Sequence, residues 1–89
     1  MKMNRTSATT LAHEMISFCK EYDPYEFNDV VENEEQETEN LVTMLLENNK
    51  TRIESILHYF KNIVDEGDKE DVQSANKIIN TLIMYVCIS

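Results

Sequence analysis

Residues 51–86, TRIESILHYFKNIVDEGDKEDVQSANKIINTLIMYV, decide the fold. Ile53, Ile56, Leu57, Phe60, Ile63 and Val64 recur at the three- and four-residue steps that place side chains on one helix face. Thr51-Arg52-Ile53-Glu54 has the T-x-x-E form of a capping box, which predicts that Thr51 opens this helix. Gly67 follows the stripe and suits a left-handed C′ position. Asp68 is placed to cap a second helix, with Glu70 and Asp71 in its first turn, where the helix dipole favours negative charge. Val72, Ala75, Ile79, Leu82, Ile83 and Val86 form the second stripe. Two long helices joined by so few residues must run antiparallel, as a helical hairpin.

Upstream of the hairpin, Leu11, Met15, Phe18 and Tyr22 follow at steps of four, three and four and predict a helix over residues 7–22. Residues 1–6 are expected to fray, and Thr6, Ser7, Thr9 and Thr10 offer N-caps. Pro24 disfavours helical geometry at Asp23, so the first helix should stop there. Asp23 can then cap a short helix with Pro24 at its first position and Glu26 reaching back as the reciprocal partner. Phe27, Val30 and Val31 give that helix an apolar face. Leu41, Met44 and Leu45 mark one face of a further helix, and Val42 and Leu46 mark a second, which predicts burial on two sides near the centre of the bundle. Asn48-Asn49-Lys50 reads as a turn. The expected fold is a single all-α domain over residues 1–89, a bundle of four to five helices closed by the C-terminal hairpin. One Gly and one Pro do not supply the turns of an all-β chain.

The stretch 21–49 is unusual. It carries ten carboxylates and no Lys, Arg or His, in a chain of net charge −9. Residues 32–40, all polar, form an acidic connection that is either a loop or a helix running into Leu41. Between Glu21 and Glu39 an acid falls about every two residues, which on a helix of ~1.5 Å rise gives one charge per ~3 Å. A DNA strand carries one per ~3.4 Å. Glu26, Asp29, Glu32, Glu34, Glu35, Glu37 and Glu39 are therefore the candidate partner-binding residues, for a protein with a basic surface, including a nucleic-acid-binding effector. The plainer reading is that acidity only keeps a small protein dissolved. That reading does not account for the missing cations, because an exposed helix ordinarily mixes Lys with Glu.

The same charge opposes direct binding to nucleic acid or to an anionic membrane. The N-terminal residues lack the apolar core of a signal peptide, and no apolar run approaches a membrane span, so a cytoplasmic protein with reduced thiols is expected. No metal or cofactor is expected. Asp65–Asp71 has the acids of a calcium loop in the wrong order, and His13, His58, Cys19 and Cys87 lack zinc-ligand spacing. His13 and Cys19, six residues apart, face different sides of a helix, and no nucleotide or nucleophile motif is present, so no catalytic residue is assigned and the chain is not read as an enzyme.

Leu45-Leu46-Glu47-Asn48-Asn49, Ile63-Val64-Asp65-Glu66 and Ala75-Asn76-Lys77-Ile78-Ile79 make residues 45–85 resemble short helical segments in proteins of Gram-positive phages and mobile elements. In size and charge the chain is similar to phage-encoded inhibitors of host defence, including anti-CRISPR proteins. The resemblance implies a cytoplasmic inhibitor, in the host cell, that occludes a basic nucleic-acid channel. It carries over no individual inhibitory residue. A different kind of function rests on the apolar tail. Met84, Tyr85 and Ile88 could form a homodimer seam or dock a partner, making the chain a structural or regulatory adaptor. Burial of the tail by an earlier helix is the alternative.

Overall fold

Short polar side chains start the helices. Asn4, Asp23, Asn33 and Asn49 each accept a hydrogen bond from the backbone N–H three residues on, from Ser7 at 2.7 Å, Glu26 at 3.1 Å, Gln36 at 3.1 Å and Arg52 at 3.3 Å. Such a cap satisfies a donor that the helix itself leaves unpaired, and is worth about 1 kcal/mol. The resulting elements are α1 (Arg5–Tyr22), α2 (Pro24–Val30), α3 (Glu34–Glu47), α4 (Lys50–Glu66) and α5 (Lys69–Ile88). The structure is a computed structural model that describes the backbone of residues 4–88 and the side chains of residues 4–84. It is all-α, with no strand among the described residues.

The caps correct several expectations. The first helix starts at Arg5 rather than Ser7, because Asn4 caps it ahead of the Thr and Ser candidates. Residues 5 and 6 are therefore helical, while residues 1–3 lie outside the described part. Thr51 sits inside α4, since Asn49 takes the capping role two residues earlier. Asp23 does cap α2 behind Pro24, but its own N–H bonds the Cys19 carbonyl at 3.1 Å and so closes α1, leaving no reciprocal bond for Glu26. Asn48 turns left-handed at φ 53° and ends α3, with its N–H bonded to the carbonyls of Leu45 and Met44. Gly67 is not left-handed. Its φ is −83°, and glycine is needed there because a Cβ would stand 2.6 Å from the Ile63 carbonyl oxygen.

The hairpin of α4 and α5 forms as expected, through Ile53, Phe60 and Ile63 on one helix and Ala75, Ile78, Ile79 and Leu82 on the other. Helix α1, not α3, is the hub, since it packs against α2, α3 and α5. The reason lies in small residues. Ala8 and Ala12 are fully buried and extend the arc of Leu11, Met15 and Phe18 to Ile16, so α1 is covered on two sides. Helix α3 buries Leu41, Val42, Met44 and Leu45 and touches α1 and α4. Phe18 ties the layers together, stacking on Tyr22 and meeting Phe60 edge-on, with ring centroids 5.5 Å apart in both pairs. No polar or charged residue is buried among those described. The core is thus held by shape and apolar area alone.

Candidate acidic binding surface

The acidic stretch is folded, not loose. Residues 34–40 are the first two turns of α3, so the connection shrinks to residues 31–33. Glu34, Glu35 and Glu37 fall in the first turn of that helix, where the dipole favours them. Helical periodicity then separates the acids. Glu34, Glu35 and Glu39 border a shallow concavity shared with Thr9 and His13 of α1. Glu37 turns toward Glu26 and Asp23, on the rim of a different depression. Five of the seven candidate carboxylates thus divide between two depressions, while Asp29 and Glu32 line neither.

Cations missing from the stretch are supplied by α1. Arg5 Nη2 lies 2.7 Å from Glu39 Oε1, and Lys20 Nζ lies 3.0 Å from Glu34 Oε2. Both pairs are exposed, so each is worth at most about 1 kcal/mol. They bridge two helices that already pack through their buried apolar faces. The acids therefore sort by what folding does with them. Glu34 and Glu39 are bridged, while Glu35 and Glu37 sit at a favourable helix start. Glu26 likewise occupies the first turn of α2. Asp29 and Glu32 have no such role. Asp29 lies in the last turn of α2, where the dipole disfavours a carboxylate, and Glu32 lies in the connection. Both are exposed and form no ion pair among the described residues.

The depression on the other side was not foreseen. Helix α2 packs on α1 alone, which leaves a groove of about 340 Å³ lined by residues of α1, α2, α3 and α4. Ile16, Phe27, Val31, Leu41 and Ile56 supply apolar walls. Val30, expected on the buried face, is 72% exposed and forms part of the lip, because seven residues give α2 room for one buried anchor, Phe27. Tyr25 on the same helix is 84% exposed. Cys19 and Tyr59 meet in the groove, where Tyr59 hydrogen-bonds the thiol. Burial pushes the Cys19 pKa up, the Tyr59 bond opposes this, and the negative charge of Glu26 adds to the rise. Tyr59 is raised as well, again chiefly by burial. A raised thiol pKa is the opposite of what an activated nucleophile needs.

Other candidates are placed less informatively. Met84 is half exposed on α5, while the side chains of Tyr85, Val86, Cys87 and Ile88 lie outside the described residues. Among the described residues no group of three or more His, Cys, Asp or Glu side chains is arranged to hold a metal ion. No helix among them is long and apolar enough to cross a membrane. No protein-family model, curated protein or solved structure matches the chain.

Proposed function

We propose that the protein is a small acidic binding protein that inhibits or regulates a nucleic-acid-handling protein by occupying its basic surface, in the manner of anti-CRISPR-type DNA mimics. It acts without catalysis, in the cytoplasm of a host cell. The observation that carries this reading is the placement of Asp29 and Glu32. They are exposed and have no ion-pair partner among the described residues; Asp29 stands where the α2 dipole disfavours negative charge, and Glu32 lies outside both helices, one residue before the α3 cap Asn33. Presentation on the folded α2 and α3 and the three-residue connection between them lowers the ordering cost of binding relative to a loose acidic tail. Association should be fast and strongly salt-dependent, because it would release the counterions of the basic site.

The test is capture from a lysate of a Gram-positive bacterium at low and high salt, with parent and a D29K/E32K/E35K variant. This choice spares Glu34 and Glu39, which α1 uses. A partner should be held by the parent at low salt, released by excess duplex DNA, and missed by the variant. A partner retained equally by both chains at high salt rejects the reading. A second reading, a homodimer or adaptor contact through α5, draws on the exposure of Ile83 and Met84. A single-chain mass by light scattering, unchanged by Met84→Glu, rejects the homodimer form of it.

A further inference from the structure

The groove among α1, α2, α3 and α4 lies beside the acidic surface and has the opposite character. Its floor and walls are apolar, from Ile16, Phe27, Leu41, Ile56 and Phe60, with the Cys19–Tyr59 pair as a polar spot. Asp23, Glu26 and Glu37 stand on its rim against one cation, Arg52. A volume of about 340 Å³ is at the lower end of the range for ligand pockets and accepts one or two large side chains. Val30 is exposed at its edge, with no covering element among the described residues. We infer that the groove takes an apolar side chain presented on a basic segment of the partner protein.

Charge complementarity selects this occupant. An apolar anchor alone would fill the walls and leave three rim carboxylates facing it. Flanking Lys or Arg residues would meet those carboxylates and continue onto Asp29 and Glu32, which follow Glu26 along the chain. An acidic segment would be repelled at the same rim. The arrangement is that of a protein interface in which a few desolvated apolar contacts hold and a charged rim steers. The inference rests on the proposed binding of a basic protein and adds what a pure charge mimic lacks, a contact that survives salt. Screening weakens exposed charge pairs, whereas salt does not weaken burial of an apolar side chain.

Three synthetic helical peptides test it, observed through the ¹⁵N–¹H spectrum of the protein. One has leucines at every third or fourth position with lysine elsewhere. The second replaces its lysines by glutamate, and the third replaces its leucines by serine. The leucine–lysine peptide should shift the resonances of Val30, Ser55 and Ile56 and retain part of its affinity at high salt. Two uncharged changes at exposed groove positions, Ser55→Phe to fill it and Val30→Ser to trim its lip, should each weaken that peptide about tenfold. Unchanged helical circular dichroism checks that they fold. Equal binding of the leucine–glutamate peptide overturns the inference, as does equal binding of the serine–lysine peptide. Groove resonances that move with protein concentration alone assign the site to a second copy and also overturn it. The outcomes separate the two claims. Loss of binding in D29K/E32K/E35K with none in S55F leaves the charge reading standing and removes the groove, and the reverse removes the charge reading.

Discussion

The α4–α5 hairpin and the α2–α3 segment are built from the same alphabet to different ends. The hairpin carries both signs of charge on its exposed faces, from Lys50, Arg52, Glu54, Lys61 and Asp65 to Lys69, Glu70 and Lys77. Its stability comes from broad apolar stripes that close on each other. The α2–α3 segment carries acids as its only charged residues, and its first helix is pinned by a single buried residue, Phe27. One region spends its surface on its own cohesion. The other leaves surface charge and an apolar lip unused by the fold. The difference teaches where to look for function: at side chains that cost the folded state something and return nothing to it.

That comparison can be broken most severely at Phe60, which is 1% exposed and meets both Phe18 and Tyr59. Phe60→Ala should lower the unfolding free energy in urea by about 3–5 kcal/mol. Phe27→Ala should instead loosen α2 locally, seen as fast hydrogen exchange of residues 24–31 while the hairpin amides stay protected. Equal global destabilisation by both changes would mean that α2 is as integral as the hairpin. Gly67→Ala comes next. The new Cβ would meet the Ile63 carbonyl at 2.6 Å, so the end of α4 must shift, at about 1–3 kcal/mol.

Capping gives a smaller and sharper contrast. Asn49→Ala should cost about 1 kcal/mol and Thr51→Ala less than about 0.5 kcal/mol, measured by the same urea titration. The reverse order would restore the T-x-x-E reading of the sequence. The smallest effect is chemical. Burial raises the Cys19 thiol, so the folded state favours its neutral form, and that stability is present at neutral pH and lost as pH rises through the raised value. In a Cys87→Ser chain, Cys19 should therefore react more slowly with iodoacetamide at mildly alkaline pH than it does in the urea-unfolded chain.

Much of the fold was legible because apolar spacing records it directly. The stripes of 53–64 and 72–86 predicted the hairpin, although Ile83 of the second is exposed, and Asp23-Pro24 marked the α1–α2 boundary. The hub role of α1 was hidden because Ala8 and Ala12 bury completely while adding little to a hydrophobic pattern. Caps were misassigned where a residue read as part of a turn could also cap, as with Asn49 two residues before Thr51, since only backbone geometry decides which side chain reaches the free N–H. The acids were legible as a charge run, but not their division. Lys20 and Arg5 pair with Glu34 and Glu39 across 14 and 34 residues of chain, a distance at which sequence spacing carries no signal. The groove was invisible for the same reason, because its walls come from four helices.

The central claim is that the exposed acids of α2 and the following connection serve a partner and not the fold. Urea unfolding of D29K/E32K/E35K tests it without any partner in hand. Asp29→Lys places a cation at the C-terminal turn of α2, which the dipole favours, while Glu35→Lys loses a favourable site at the start of α3. All three changes reduce a net charge of −9 and its self-repulsion. The account predicts a stability within about 1 kcal/mol of the parent, or above it. A loss of about 3 kcal/mol or more would show that these carboxylates hold the structure together, and would contradict it.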